Sequence, residues 1–177
     1  MKTYTKPQLN CILEKHEKWL RSEGGGERAN LSSANLSSAD LRFADLRFAD
    51  LRFANLSSAD LRFAKNLSAL QSAALSIVPD AGAFEGWKKC RDGVLVRLLI
   101  PASAKRSNAT GRKCRAEFVE VLDVVGGKEG VSAYSDSVKY IKGKTVKPDG
   151  WCEDRWSECA PGIHFFITRA EAEAYQP

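Results

Sequence analysis

The sequence predicts a mainly β protein in three consecutive parts: a capping helix at 1–28, a repeat stack at 29–77 and a small α+β unit at 78–177. Three observations carry that prediction. Residues 29–63 repeat every five positions, which fits neither the 3.6 period of a helix nor the 2 of a strand. The leader sets its apolar side chains at helical spacing. After Val78-Pro79 the repeat gives way to short apolar runs bounded by Pro, Gly and Asn, the signature of strands.

In the leader, Leu9, Ile12, Leu13, His16, Trp19 and Leu20 fall on one face of a helix, with Pro7 near its start and Gly24 to Gly26 beyond its end. This helix is expected to cover the first turn of the stack, with His16 as a cap residue against Trp19. Charges interrupt "MKTYTKPQLNCILEKHEKWL" throughout, so no signal peptide is expected there. No apolar run reaches the ~18 residues of a membrane span. The five cysteines are odd in number, scattered and free of any CxxC pair, which fits reduced thiols. The expected location is a bacterial cytoplasm.

Each repeat reads Ala, then Asn or Asp, then Leu, then two variable residues, with units starting at Ala29, Ala34, Ala39, Ala44, Ala49, Ala54 and Ala59. A five-residue period requires a chain that turns one corner per unit. Leu and the Ala two before it point inward, and the other three positions outward. "AKNL" at 64–67 breaks the register, and "SALQS" and "AALSI" are expected to extend the stack to Ile77.

This pattern resembles the pentapeptide-repeat proteins, whose units combine a small residue, Asp or Asn, and Leu or Phe. The resemblance implies a right-handed quadrilateral β-helix with four units, twenty residues, per coil. Residue i then lies over residue i+20, so that Leu41 stacks on Leu61, Asp40 on Asp60, Arg42 on Arg62 and Phe43 on Phe63. The leader, of the form "ILxxHxxWL…GGxRAxL", is similar to leaders of phage members of the family. Some members imitate DNA with an acidic coil, which needs a row of uncompensated negative charge. Here Asp40, Asp45, Asp50 and Asp60 are matched by Arg42, Arg47, Arg52 and Arg62, so DNA mimicry is not expected. The exposed rows containing Arg42, Phe43, Arg62 and Phe63 suggest a protein contact, since contiguous apolar surface usually marks one. The competing reading packs these phenylalanines under the C-terminal part.

In the C-terminal part, strands are expected at 93–101, 114–125, 138–146 and 162–168, with a loop at Ser107–Gly111. A short final helix starts at Thr168, whose capping-box partner is Glu171. "IPASAKRSNATGRKCRAEFVEVL" and "RWSECAPGIHFFITRAEAEAY" resemble a domain of unknown function found appended to pentapeptide repeats in phage and prophage proteins. That resemblance implies no established activity.

Three constellations could carry chemistry. Lys105, Arg106, Arg112, Lys113 and Arg115 occur with no acid between them, and with Ser107, Asn108, Thr110 and Gly111 they could hold an anionic ligand. The bland alternative is a solvated loop. Cys159 and His164 could form a nucleophile and base if they meet within hydrogen-bond reach, with Arg155 as anion holder. Otherwise they are a buried thiol and a turn histidine. C-x6-C-x4-H from Cys152 lacks the spacing and the fourth ligand of a zinc site. Trp151 and Trp156 fit either a core edge or an interface anchor.

No cofactor or metal is expected. The leading expectation is a non-enzymatic, phage-derived accessory or anti-defence factor that binds a host protein or an anionic small molecule. An enzyme centred on Cys159 and His164 is the first alternative. A structural module that self-associates into a homo-oligomer is the second.

Overall fold

The computed structural model describes residues 1–176. It is mainly β with three helices, and the chain divides into two units. The first comprises Met1–Ser76 with Ala109–Gly111, and the second comprises Ile77–Asn108 with Arg112 onward.

The first unit opens with β1 (Lys2–Thr3) and α1 (Lys6–Leu20). Thr5 caps α1 through a capping box with Gln8, satisfying two N–H groups that a helix start would otherwise strand. Leu9 and His16 form its buried stripe, while Ile12, Leu13 and Leu20 are half-buried and Trp19 is exposed on one side. His16 stacks on Trp19 with ring centroids 5.7 Å apart, and its Nδ1 accepts the Ala29 N–H at 3.2 Å. The imidazole thus stitches the helix to the first repeat. Gly26 lies against the Trp19 backbone, where no Cβ would fit.

From Ala29 the chain repeats one local geometry. Leucines 31, 36, 41, 46, 51, 56 and 61 are all buried, and the two residues after each are outward. The fourth residue of each turn returns its N–H to the leucine carbonyl, as Ala44 does to Leu41 at 3.2 Å. Such a turn places its third residue at positive φ, as in a type II turn. Ser33, Ser38, Phe43, Phe48, Phe53, Ser58 and Phe63 occupy that position, with φ between 55° and 62°.

The Asn or Asp of each unit closes an Asx turn. Its side-chain oxygen accepts the N–H two residues on, from Asn30 with Ser32 at 3.2 Å to Asp60 with Arg62 at 3.2 Å. The co-occurrence of residue types follows from the same geometry. Asn is followed by Ser, whose hydroxyl donates to the amide oxygen in Asn30–Ser32 and Asn35–Ser37. Asp is followed by Arg, whose guanidinium grips the carboxylate.

Units twenty residues apart pair as parallel bridges: Asn30 with Asp50, Asn35 with Asn55, Asp40 with Asp60 and Asp45 with Lys65. Backbone bonds such as Leu41 N–H to Asp60 O at 2.9 Å and Asp60 N–H to Ala39 O at 2.9 Å tie the layers. At the edge, β1 pairs in parallel with β2 (Ala34–Asn35), and the Lys2 N–H donates to Ser33 O at 3.0 Å, so backbone groups of the first layer that would otherwise be open are occupied.

At "AKNL" the twenty-residue pairing persists through Lys65, which bridges Asp45, and the Asn66 amide donates to the Asp45 carboxylate at 2.9 Å. One expectation for this unit is corrected. "SALQS" and "AALSI" do not continue the repeat; Ala69–Ala74 forms α2. Ser68 and Gln71 make a capping box there, and strong helix formers follow.

The second unit contains β3 (Phe84–Lys89), β4 (Leu95–Ile100), β5 (Arg106–Asn108), β6 (Cys114–Ala116), β7 (Val119–Val125), β8 (Gly130–Ser132), β9 (Ser135–Tyr140), β10 (Thr145–Val146), β11 (Ile163–Phe165) and α3 (Arg169–Ala174). Its antiparallel sheets have the orders β10-β7-β4-β3, β11-β6-β5 and β8-β9. Val96, Leu98, Ile100, Ala116, Val119 and Phe165 are central to its core. Thr168 and Glu171 cap α3 as the sequence predicts.

The predicted strand 114–125 is two strands in two sheets. The chain leaves β6 where Glu117 donates its N–H to Lys105 O at 2.8 Å, and enters β7 at Val119. The predicted strand 138–146 is likewise split into β9 and β10 by a turn at Lys142–Gly143. Ser107 and Asn108 lie in β5, not in a loop.

Candidate functional site

Two places in the molecule collect the residues singled out above. The first is the corner of the repeat unit that carries Phe43 and Phe63. Their rings stack with centroids 5.1 Å apart and 13° between planes. Both stay open, at 66% and 55% exposure, as do Phe48 at 67% and Phe53 at 83%. Phe48 contacts Trp19 edge-on at 6.3 Å.

Arg42 and Arg62 flank this stack, each bound to the aspartate two residues before it. Arg42 Nη2 donates to Asp40 at 2.8 Å and Arg62 Nη2 to Asp60 at 2.6 Å, while Arg42 Nε also reaches Asp60 at 3.6 Å. The Arg42 hydrogen bond holds the Asp40 carboxyl near 2, and the Arg52 bond holds Asp50 near 2 as well. Every aspartate of the repeat therefore carries its own counter-ion. Phe43 also walls a groove of about 530 Å³ between α1 and the repeat, together with Glu14, Glu17, Arg42 and Arg47.

The second place is a cavity of about 630 Å³ in the second unit, lined by residues of β3, the β8–β9 hairpin, β11 and the segment before it. Cys159 and His164 both line it, so the structure brings this predicted pair into one space. In the resting geometry each is hydrogen-bonded to a different partner. His164 Nε2 donates to Ala160 O at 3.1 Å, and the group beside the Cys159 thiol is Lys113, whose ammonium lies 3.7 Å from Sγ. Burial, reinforced by the charges of Lys113, Lys88 and Arg115, lowers His164 to about 4. Arg155 is turned elsewhere: it donates to Asn108 O at 3.1 Å and lies 4.5 Å from the Trp156 ring.

The five-cation cluster is dispersed. Lys105 pairs with Glu153 at 2.5 Å and Arg112 with Glu171 at 2.5 Å. Arg106 donates to the carbonyls of Gly82 and Ala102. Arg115 is 2% exposed because β6 is buried on both faces, with Cys114 and Ala116 in the core and Arg115 on the opposite side. There it donates to Cys152 O at 3.2 Å, Pro161 O at 2.8 Å and Asp154 O at 2.9 Å, and it packs 4.8 Å from the Trp151 ring. It pins the irregular segment 152–161 and is not offered to a ligand. Only Lys113 of the five faces the cavity.

Sequence reasoning missed Lys88. It is 8% exposed, lines the cavity, donates to His164 O at 3.2 Å and lies 5.6 Å from the Tyr140 ring centroid. The signal was the alternation of "FEGWKKC", in which Gly86 and Lys88 of β3 are buried, as is Cys90 just beyond its end. All five cysteines are free thiols. Among the described residues no cluster of three or more His, Cys, Asp or Glu could hold a metal ion, and no helix is long and apolar enough to cross a membrane.

The chain belongs to the family of unknown function DUF5758, whose model matches residues 75–172. Pentapeptide repeats precede that domain, with eight copies matched over residues 27–62, one more than the seven strict Ala-Asn/Asp-Leu units. No curated protein and no solved structure matches the chain.

Proposed function

We propose that the chain is a non-enzymatic interaction protein whose repeat unit binds a partner protein through the Phe43–Phe63 corner. In this reading the repeats wind as a right-handed quadrilateral β-helix, supported by the parallel bridges at intervals of twenty residues. The observation that carries the functional reading is the choice of phenylalanine at an exposed, left-handed position. The fold demands positive φ at the fifth residue of every unit, and three serines meet the same demand. An L side chain there costs about 1–2 kcal/mol, less for Asn and nothing of the kind for Gly. A phenylalanine adds no core packing in return: the Phe43–Phe63 stack offsets part of the cost, yet both rings stay more than half exposed. The exposed remainder points to an external role, since strained, exposed apolar groups are enriched where proteins meet.

The partner is a protein with an apolar patch and little net charge. The Asp–Arg pairs neutralise the rim of the stack, so it offers neither the acidic row of a DNA mimic nor a basic track for nucleic acid. Resemblance to phage and prophage proteins supports a bacterial host protein. The test is quantitative affinity capture from bacterial lysate with wild type and a Phe43→Ser, Phe63→Ser double variant. A protein enriched on wild type and lost on the variant supports the proposal. Equal capture by both, or a dimer in sedimentation that the double variant abolishes, overturns it in favour of another surface or of self-association.

A further inference from the structure

The cavity of the second unit holds a feature that the repeat-based reading leaves unused. Lys88 is a nearly buried ammonium whose proton affinity is lowered by its burial, with a smaller contribution in the same direction from Lys113. An ammonium has three donors, and the His164 carbonyl takes one from Lys88. Among the described residues neither lysine makes an ion pair, although Lys105 and Arg112, close in sequence, both do. One carboxylate, Asp149, also lines the cavity, leaving the two lysines with a net positive balance. Holding the Lys88 ammonium out of water without a counter-ion is unfavourable, and an anionic ligand relieves that cost, while the half-buried Lys113, 5.4 Å from the Tyr175 ring centroid and 3.7 Å from Cys159 Sγ, keeps its charge.

The remaining walls favour a ligand with an apolar body. Val138, Ile163 and Tyr140 line the cavity, and about 630 Å³ lies within the ~300–1,000 Å³ of small-molecule sites. His164 stays neutral near pH 7 and adds no charge. Its Nε2–H is committed to Ala160, so Nδ1 is the nitrogen left as an acceptor.

We propose that this cavity binds a small, partly apolar oxyanion, a carboxylate or a phosphate monoester, between the ammonium groups of Lys88 and Lys113. The site lies wholly in the second unit and stands or falls independently of the Phe43–Phe63 surface. Cys159 reports on it, because its exposed thiol shares the cavity with Lys113, whereas Cys11 is an exposed thiol on α1.

The experiment titrates the full chain with benzoate, phenyl phosphate and the neutral benzyl alcohol by calorimetry. In parallel, iodoacetamide labelling of Cys159 and Cys11 is followed by peptide mass spectrometry. The expected result is that one of the two anions binds, that benzyl alcohol does not, and that the bound anion slows labelling at Cys159 only. Which anion binds more tightly separates the carboxylate from the phosphate source. Lys113→Gln should weaken binding about tenfold or more, the worth of one charge-assisted hydrogen bond, while Arg112→Gln should leave it unchanged. Failure of both anions to bind at millimolar concentration, or protection of Cys11 equal to that of Cys159, overturns the proposal. Binding equally strong in a folded Lys113→Gln variant also overturns it. The labelling readout on wild type holds even if that variant does not fold.

Discussion

Phe43 and Phe63, twenty residues apart in sequence, lie ring on ring at 5.1 Å, and each holds a left-handed backbone, with φ of 62° and 59°. One relationship thus displays the period of the repeat, the direction of its stacking and the unusual use of its corners. Beneath the corner, buried leucines keep the same register from the inside.

Replacing Leu41, 1% exposed, by alanine removes most of a side chain from a layer that other leucines cannot refill. The expected loss is about 2–5 kcal/mol in urea unfolding, with an unchanged slope. Arg47→Ala, whose side chain is half exposed at 49%, should cost less than about 1 kcal/mol.

Phe53 is 83% exposed at φ 59°, so Phe53→Asn should raise stability by about 0.5–1 kcal/mol, read as an increased unfolding midpoint. Phe43→Asn relieves the same backbone but loses its ring partner, worth about 0.5–1.5 kcal/mol, and should gain less or nothing. A destabilised Phe53→Asn protein would show that the ring supports the fold itself.

The Asp–Arg pairs set the acid limb of stability. Asp40 and Asp50 are held near 2, against an ordinary 3.8, by hydrogen bonds from Arg42 and Arg52. Folded-state values below the unfolded ones mean that this contribution is complete above about pH 4 and vanishes as pH falls through 2. Carboxyl chemical shifts of these two residues should titrate with midpoints near 2 in the folded chain and return toward 3.8 in Arg42→Ala and Arg52→Ala respectively.

His164 acts in a different window. Its folded value of about 4 lies below the ordinary 6.5, so the neutral ring belongs to the fold and protonation favours unfolding. Stability should be complete above pH 6.5 and decline between 6.5 and 4, by up to about 3 kcal/mol. His16, lowered by its own burial, contributes in the same direction, so the informative quantity is the difference between wild type and His164→Gln. The variant should show a shallower decline across that window.

Much of the repeat was legible in the sequence because one residue type per position carries one physical role: leucine inside, Asn or Asp closing a turn, Arg or Ser answering it. The leader helix and α3 were legible for a similar reason, through apolar spacing and a capping box. The second unit was harder to read. Cys114–Val125 looks like one strand because its apolar alternation survives the step at Glu117, where a hydrogen bond to Lys105 sends the chain into another sheet. The basic cluster looked like one site because sequence proximity hides direction: β6 buries Arg115 under segment 152–161, while Lys105 and Arg112 find acids 48 and 59 residues away. Lys88 escaped notice because a lysine on the buried face of a strand contradicts the usual pattern, and such contradictions tend to sit at sites.

The winding of the repeat can be tested by paired cysteines. Ser37 and Ser57 stand two residues beyond the bridged pair Asn35 and Asn55, on the outside of neighbouring layers. Strand spacing of about 5 Å puts such a pair within disulfide reach. Mild oxidation of the Ser37→Cys, Ser57→Cys protein should give a rapid intramolecular disulfide in peptide maps, while Ser37→Cys with Arg47→Cys, ten residues apart, should not cross-link. Absence of the first disulfide in folded protein, or equal yields from both pairs, would contradict a coil of twenty residues.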